Sequence, residues 1–502
     1  MSNTALEAQS QDTVADCAPP ARETHGVNAE ALRYAERIAR EAKHIPAGDG
    51  SDSRTVLRAV LDLVFEDAEI RLNFPAAEIR YTAMCGEVAR EVFRMIGQSP
   101  DMIGLLSIGD VKLPDFARTV VDAIVHAAHA IHNELCAEET YGYDLSSRGS
   151  LKARQAMIGY FDRHYAFSQV PGLCGRLAEN CAITGGGMRG LDDLATAHVR
   201  LAQPDRHARF IYPDNSFATW HSIANLRSVG GKVATVHVLA TRPENVLQPT
   251  AGDVDEFYDR ETLSSAHPTT DLWCITPVGN PSGTRMDACQ LAETCRQIVA
   301  RAPSAKILLD CTYVRTLVHP EARALIKGIL ESPEVLDRII FLESFSKTHG
   351  LCGERCGAYF SANRLLFDEH HSINMTLSAG NGRYKSALVL AIASATEAQE
   401  ETIRSLHRFW QRERLGLYHY LVRSKQFGEL FANEQEHLRP DQLEATLGLY
   451  LFLKLHDGVS GKDVLIRTGC LGVETPMASG NYIRFAVGKI TEPTYARFIP
   501  AH

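Results

Sequence analysis

The stretch FLESFSKTHGLCGERCG, residues 341–357, is the part of the sequence that decides the fold class. An apolar run ends at Ser344, Ser346 and Lys347 follow at once, and a glycine-containing turn then leads to Arg355. A short apolar run bounded by polar residues and glycine is typical of a buried strand. A lysine directly after such a strand, beside small hydroxyl residues and an arginine, predicts a site that binds an anion and uses an amine.

Working outward from this stretch, strand-like runs alternate with helical patterns between about residues 140 and 375. The strand-like runs are NCAIT, ARFIYP, GKVATVHVL, LWCITP, KILLD, RIIFLE and GAYFSA. This alternation predicts an α/β fold with a mostly parallel sheet and helices on both faces. Open sheets of this kind bind ligands at the carboxyl ends of their strands, so the residues that follow each run are the candidates for a site.

The rest of the chain predicts three further regions. Residues 1–27 are polar and are predicted to be a disordered tail. Residues 28–136 repeat apolar residues at helical spacing and predict a helical N-terminal extension. The large α/β domain is placed at 140–375, and a small α+β domain at 376–502.

Composition excludes several classes of protein. The net charge of −9 gives no dominant basic field for nucleic acid, and no apolar run approaches the roughly 20 residues of a membrane span. The first residues lack the layout of a signal peptide, and the 12 cysteines show no paired CxxC spacing. We therefore expect a cytoplasmic protein without a disulfide scaffold or a metal site.

Three more motifs follow predicted strands. ITGGGMRGLDDL (183–194) is a strand, a glycine turn and a helix, and the backbone N–H groups at Gly186, Gly187 and Met188 suit a phosphate. Asn280 ends one strand segment, and Asp310 ends another. A carboxylate after a run such as ILL should be buried, so it requires a cationic partner. Pyridoxal 5′-phosphate is a cofactor that needs a phosphate cradle, a buried carboxylate and a lysine together.

The order of these motifs resembles a known family. The segments Asn280-Pro-x-Gly, Asp310-x-x-Tyr313 and Ser344-x-Ser-Lys347-x-x-Gly, followed by Arg355, are similar to the successive signatures of fold-type I, class I/II aminotransferases. The resemblance covers roughly residues 140–502 and includes relatives similar to aspartate aminotransferase and to 1-aminocyclopropane-1-carboxylate synthase. It implies the fold-type I architecture, with a large cofactor domain and a small domain that closes over it.

The resemblance also implies a role for each matching residue. Lys347 would form the Schiff base with the cofactor, Asp310 would hold the pyridine nitrogen protonated, and Tyr313 would bond the ring oxygen. Arg484, in NYIRFAVGKI, would bind the substrate carboxylate. The remaining implied contacts are those to the cofactor's phosphate or ring, from Gly186, Gly187, Met188, Phe217, Asn280, Ser344, Ser346, Arg355 and a tyrosine of the neighbouring subunit, Tyr143 or Tyr141.

The function implied is that of an aminotransferase acting on an α-amino acid and a 2-oxo acid, as a homodimer with shared active sites. A second hypothesis is a lyase or cyclase on the same fold, which would carry out elimination, decarboxylation or carbon–carbon bond formation, with S-adenosylmethionine among the possible substrates. A third is a non-catalytic regulator with an aminotransferase-like domain. Taken singly, Lys347 could be a surface lysine, Asp310 a helix cap and Arg355 half of a surface ion pair.

Overall fold

The computed structural model divides the chain into two compact units, Met1–Pro100 and Asp101–His502. The residues that it describes are 29–45, 53–74, 79–107, 111–139, 147–202, 207–217, 234–264, 269–378, 382–423, 427–432 and 449–490.

The first unit is helical over its described residues. Apolar side chains such as Tyr34 and Ile38 are fully buried because they recur on one face of their helix. Asp67 caps the third helix by accepting the backbone N–H groups of Glu69 and Ile70, and it pairs with Arg37 at 2.6 Å. The helices are α1 (Ala29–Glu41), α2 (Ser53–Glu66), α3 (Ala68–Asn73) and α4 (Ile79–Met95).

The second unit contains a seven-stranded sheet with the order β2-β8-β7-β6-β5-β3-β4. Its strands are β2 (Cys181–Thr184), β3 (His207–Pro213), β4 (Ala234–Leu239), β5 (Thr269–Ile275), β6 (Lys306–Asp310), β7 (Ile339–Ser344) and β8 (Gly357–Phe360). Only β8 runs antiparallel to its neighbours, β2 and β7. The predicted α/β class with a mostly parallel sheet is confirmed.

The central strands β6 and β7 carry apolar side chains on both faces because both faces of the sheet are covered. In β6, Ile307 and Leu309 join one buried cluster, whereas Leu308 joins the cluster on the opposite face. In β7, Phe341 and Leu342 divide between the two clusters in the same way. This alternation explains why the runs KILLD and IIFLES show no polar face.

Helices cover both faces of the seven-stranded sheet. None of the described helices is both long enough and apolar enough to cross a membrane. The helices of the second unit are α5 (Asp115–Glu139), α6 (Leu151–Tyr165), α7 (Leu173–Glu179), α8 (Gly187–Leu201), α9 (Ala251–Ser264), α10 (Ala288–Arg301), α11 (His319–Leu330), α12 (Pro333–Leu336), α13 (Phe345–Thr348), α14 (Arg364–Ser378), α15 (Arg383–Ala393), α16 (Glu397–Arg423), α17 (Phe427–Leu430) and α18 (Gly461–Thr468).

Helix α5 lies in the second unit, which differs from the predicted helical extension at 28–136. Its buried residues Ala117, Val121, Ile124 and Ala128 recur at helical spacing and join the large core cluster. The helix packs against α15 and α16, so its apolar face is covered by the second unit. The division after Pro100 therefore follows from which core each helix completes.

A small antiparallel sheet has the order β11-β12-β9 and lies near the C-terminus. The start of the second unit joins this region: β1 pairs in parallel with β10, and the Ala486 amide donates to the Leu106 carbonyl. Residue 107 therefore lies beside the small sheet. The strands are β1 (Gly104–Leu105), β9 (Tyr450–Lys454), β10 (Cys470–Leu471), β11 (Val473–Met477) and β12 (Gly480–Ala486).

Candidate active site

Two neighbouring parallel strands bring the predicted carboxylate and lysine to one edge of the large sheet. Asp310 is the last residue of β6, and its Cα is paired with that of Leu342 in β7. Strand β7 ends at Ser344, and Lys347 lies in the short helix α13 that follows. The sequence placed each residue after its strand, and the parallel register makes those strand ends neighbours.

The glycine turn between β2 and α8 lies against the same strand ends. Gly186 has a φ of +86°, and a Cβ placed on it would lie 3.1 Å from Nη2 of Arg355. A Cβ on Gly187 would lie 3.4 Å from Cβ of Ser344 and 3.5 Å from Oγ1 of Thr312. The first N–H groups of α8 thus share their surroundings with a guanidinium and two hydroxyls, which is the donor set that a phosphate requires.

Arg355 is held in this position by an unusual backbone conformation. It is one of the few described residues other than glycine with a positive φ, at +51°, and its Nη1 donates to the carbonyl of Cys352 at 3.1 Å. A left-handed conformation at a β-unbranched side chain costs on the order of 1 kcal/mol. The turn at 352–355 therefore contains an unfavourable backbone conformation, which places the guanidinium of Arg355 beside Gly186.

Asp310 is buried, with 6% of its surface exposed. Burial raises the pKa of its carboxyl group, and hydrogen bonds from Thr312 partly offset that effect. The Thr312 backbone N–H donates to Oδ1 at 3.1 Å. Among the described residues no cationic side chain pairs with this carboxylate, so the site offers a buried acceptor for a protonated group of a ligand.

Lys347 is half-buried and lies next to a thiol. Its Nζ donates to Sγ of Cys352 at 3.5 Å, and the thiol in turn donates to the carbonyl of Ser346 at 2.9 Å. Ser346 is itself positioned by Ser344, whose Oγ accepts its backbone N–H at 3.2 Å. The lysine is therefore set by a local turn rather than extended into solvent.

Arg484 comes to the site from β12 of the small sheet and is 4% exposed. Its Nη1 donates to Oδ1 of Asn280 at 3.1 Å, and its Nη2 donates to the carbonyl of Ser107 at 3.0 Å. Its Nε is buried without a hydrogen-bond partner in the described part of the chain. A buried guanidinium with an unused donor is suited to a ligand carboxylate.

Tyr313 and Tyr450 form a buried pair of phenols beside this arginine. Their hydroxyl oxygens are 2.8 Å apart, and the guanidinium carbon of Arg484 lies 4.6 Å from the centre of the Tyr450 ring. Burial raises the pKa of Tyr313 well above its ordinary value, and the Tyr450 hydroxyl raises it further. Tyr313 is therefore a neutral hydrogen-bond donor at physiological pH.

Asn280 is fixed by the loop that carries it. Asn215, which follows β3, donates to the carbonyl of Leu247 at 2.6 Å and accepts the backbone N–H of Ser282 at 3.2 Å. A Cβ on Gly279 would lie 2.7 Å from Nδ2 of Asn215, so only glycine fits there. Because Oδ1 of Asn280 accepts from Arg484, its amide Nδ2 is the group that can donate to a ligand.

The remaining predicted residues are less informative. Phe217 follows β3, is half-buried, and packs with Met188 against the cluster on the α8 face of the sheet. Its predicted role in stacking on the cofactor stays a prediction. Tyr141 and Tyr143 lie outside the described residues.

Sequence reasoning missed three residues of this site. Thr312 lies against the glycine turn, and Tyr450 is reached only through the strand pairing of the small sheet. Lys385, at the start of α15, has Nζ 3.4 Å from where a Cβ on Gly185 would be, and burial lowers the pKa of its amine. The spacing Asp-x-Thr was the only available sign of Thr312, and no local pattern pointed to the other two.

These residues fit pyridoxal 5′-phosphate. The cradle at Gly186 has no side chain to fill it, and the donors around it suit a dianionic phosphate. Asp310 supplies a buried carboxylate without a cationic partner among the described residues, as a protonated pyridine nitrogen requires. No group of histidine, cysteine and acidic side chains in the described ranges could hold a metal ion.

Comparisons with known proteins agree with this geometry. The family model "Aminotransferase class I and II" matches residues 104–425, more than half of the 502-residue chain. Members of this family use pyridoxal phosphate. No curated protein matches the sequence significantly.

Solved structures, two of them of aminotransferases, share the fold. A single mutant of Thermus thermophilus aspartate aminotransferase superposes with a TM-score of 0.62 at 15% identity, covering 85% of this chain and 97% of that chain. An aminotransferase from Mycobacterium tuberculosis gives 0.59 at 17% identity, covering 85% and 97%. Apo-BacF from Bacillus subtilis gives 0.59 at 17% identity, covering 79% and 92%. This similarity shows the fold, and the match of the family model over residues 104–425 shows that the chain belongs to the class I and II aminotransferase family.

Proposed function

We propose that this protein is a pyridoxal phosphate-dependent aminotransferase that transfers the amino group of an α-amino acid to a 2-oxo acid. The observation that carries the proposal is the 3.1 Å hydrogen bond between Arg484 and Asn280. It brings a buried guanidinium from the small sheet to the strand ends that carry Asp310 and Lys347. This reaction needs a cation that binds the substrate carboxylate, a carboxylate that pairs with the protonated ring nitrogen, and an amine that bonds the cofactor.

The chain's own groups would hold the cofactor at both ends. The amides of Gly187 and Met188, the hydroxyl of Ser344 and the guanidinium of Arg355 would bind the phosphate, and the Ser346 hydroxyl lies in the same turn. Asp310 would accept the hydrogen bond of the protonated ring nitrogen. Its burial strengthens that interaction because water does not compete for the carboxylate.

Tyr313 and Asn280 would donate to the oxygen of the cofactor ring. Both are buried, and both have one donor that the described contacts leave available: the phenol hydrogen of Tyr313 and the Nδ2 hydrogens of Asn280. Two donors aimed at one oxygen favour its anionic form and fix the tilt of the ring.

When bound, pyridoxal phosphate supplies an electron sink that stabilises negative charge at the α-carbon of an amino acid. Lys347 would carry the cofactor and, once displaced by the substrate amine, would move the proton from the α-carbon. Arg484 would bind the α-carboxylate and hold the Cα–H bond in a fixed direction towards the lysine. The burial of Asp310, Tyr313 and Arg484 limits the access of water to this transfer.

We propose a homodimer with shared active sites and a cytoplasmic location. The family resemblance supports the dimer, and the absence of a membrane-crossing helix among the described residues is consistent with the location.

Cofactor absorbance tests the proposal directly. After unbound pyridoxal phosphate is removed, the chain should retain an absorbance band of the cofactor, and an active amino acid should convert that band until 2-oxoglutarate restores it. Lys347→Ala should lose the covalent band and turnover, because no amine remains to bond the cofactor. The matched control is Lys152→Ala, an exposed lysine at the start of α6, which should behave like the wild type.

Two outcomes would contradict the proposal. A wild-type chain that retains no cofactor absorbance after unbound pyridoxal phosphate is removed would refute the cofactor. A chain that binds the cofactor and consumes an amino acid, yet releases an elimination, decarboxylation or cyclisation product with no need for a 2-oxo acid, would replace the aminotransferase by a lyase or cyclase. Product identification by mass spectrometry separates these results.

A further inference from the structure

We propose that Tyr450 is a second phenol of the active site, which donates its hydroxyl hydrogen to Tyr313 and positions the guanidinium of Arg484 with the face of its ring. The inference rests on the proposed function and deepens it. It assigns a positioning role to a residue that lies beyond the family match at 104–425. Three independent features of the small sheet and its surroundings support it.

The first feature is the register of β9 and β12. Arg484 pairs with Phe452, and Ala486 pairs with Tyr450, so Tyr450 is the diagonal neighbour of Arg484 on the same face of the sheet. A diagonal neighbour on one face is within reach of a long side chain. The strand register therefore places Arg484 beside Tyr450, and its guanidinium carbon lies 4.6 Å from the centre of the Tyr450 ring.

The second feature is the pair of hydroxyls. The oxygens of Tyr313 and Tyr450 are 2.8 Å apart, and both side chains are buried, at 4% and 3% exposure. Each phenol has one hydrogen to donate and can accept others. If Tyr313 donates to the ring oxygen of the cofactor, the hydrogen between the two tyrosines must come from Tyr450. A donor that itself accepts a hydrogen bond donates more strongly.

The third feature is that Asn280, Arg484, Tyr450 and Tyr313 form one connected cluster of side chains. Arg484 reaches from the Tyr450 ring to Asn280, so the four side chains link the carboxylate anchor to both donors for the ring oxygen. The hydroxyl and the ring of Tyr450 therefore do different things. The Tyr450 hydroxyl acts on the oxygen of the cofactor ring through Tyr313, and the Tyr450 ring acts on the substrate carboxylate through Arg484.

Separate substitutions test the two roles. Tyr450→Phe keeps the aromatic ring of the side chain and removes its hydroxyl donor. The hydrogen bond from Tyr313 to the oxygen of the cofactor ring is then weaker, so that oxygen keeps its proton to a higher pH. A hydrogen bond of about 0.5–1.5 kcal/mol corresponds to an upward shift of about 0.4–1.1 pH units in the midpoint of the cofactor absorbance titration. KM for the amino acid should stay near the wild-type value.

Tyr450→Leu removes the ring as well. Loss of the cation–π contact should raise KM for the amino acid about two- to thirtyfold beyond the Tyr450→Phe value. Tyr482→Phe is the matched control, because Tyr482 lies on the same face of the same sheet but its hydroxyl contacts Ser479. That variant should leave both the absorbance midpoint and KM unchanged.

The outcomes are distinguishable. A Tyr450→Phe midpoint equal to that of the wild type, while Tyr313→Phe shifts it upward, would overturn the donor role. A Tyr450→Leu variant with unchanged KM would overturn the role of the ring, and if that variant fails to fold, the Tyr450→Phe titration still decides the proposal. A wild-type chain with no cofactor absorbance would overturn the proposed function, and this inference with it. The thermal midpoint of each cofactor-free variant reports folding independently of activity.

Discussion

At the scale of single residues, Asp310 combines two properties that seldom occur together. Its carboxyl group is buried, which raises its pKa, and the described residues offer it no cation. An isolated buried carboxylate is unfavourable for stability, since ionisation in an apolar setting costs free energy. A protonated ring nitrogen would remove that cost, so we expect the cofactor to stabilise the chain as well as to activate it.

Asp310→Asn should therefore separate binding from chemistry. The amide keeps the size of the side chain and can still accept the Thr312 N–H, but it cannot stabilise a protonated ring. We expect the cofactor to bind, with a rate about 10²–10³-fold lower. Asp287→Asn is the control, because Asp287 also accepts an N–H two residues later, from Cys289, at an exposed helix cap. Wild-type turnover in Asp310→Asn would contradict the assignment.

The residues that could be predicted from the sequence are those set by local spacing. Asp310 ends one strand, and Lys347 comes three residues after the end of another. Their position at the sheet edge could therefore be predicted from the order of the motifs. Tyr450 and Ser107 could not, because their nearness to Arg484 depends on strand pairing between distant segments. No local pattern encodes which face of a small sheet meets a distant loop.

At the scale of elements, strand β8 shows that a local sequence pattern predicts a strand but not its direction in the sheet. The run GAYFSA predicts a strand, but its antiparallel direction comes from the connection before it. Residues 345–356 contain only the four-residue helix α13. A parallel return needs a longer crossover, usually with a full helix, so the chain reverses direction instead.

Two helical glycines allow a matched test of packing between elements. Gly328 in α11 approaches α10 so closely that a Cβ would lie 2.6 Å from Cβ of Ala292, whereas a Cβ on Gly159 in α6 would meet no atom within 4 Å. Gly328→Ala should lower the free energy of unfolding by about 1–3 kcal/mol through overpacking. Gly159→Ala should raise it by about 0.5–1 kcal/mol, since alanine favours the helix.

Chemical denaturation of the cofactor-free variants provides the measurement. Equal effects of the two substitutions would show that helix propensity alone governs both positions, and would argue against a close contact between α10 and α11.

At the scale of the whole molecule, burial of histidines couples stability to pH. Burial, together with the nearby charge of Lys306, lowers the pKa of His198 to about 3. The unfolded chain takes up a proton near the ordinary value of 6.5, while the folded chain does not. The folded state is therefore favoured above pH 6.5 and loses about 1.4 kcal/mol per pH unit from this group as the pH falls towards 3.

His198→Gln should reduce that dependence. Glutamine can still donate to the Thr270 carbonyl, which His198 Nε2 contacts at 3.0 Å, but it does not titrate. We expect the denaturation midpoint of the variant to fall less steeply between pH 6 and 4 than that of the wild type. His126→Gln, at an exposed position on α5, is the control. Parallel pH profiles for wild type and His198→Gln would rule out this source of acid sensitivity.

The pairing of β1 with β10 has a consequence for synthesis of the protein. The carbonyl of Ser107 and the guanidinium of Arg484 are 377 positions apart in the chain. A ribosome that adds about 5–20 residues per second needs about 20–75 s to make that stretch. For that time strand β1 lacks its partner β10 and the Ser107 carbonyl lacks its donor Arg484, because both partners are made near the end of synthesis.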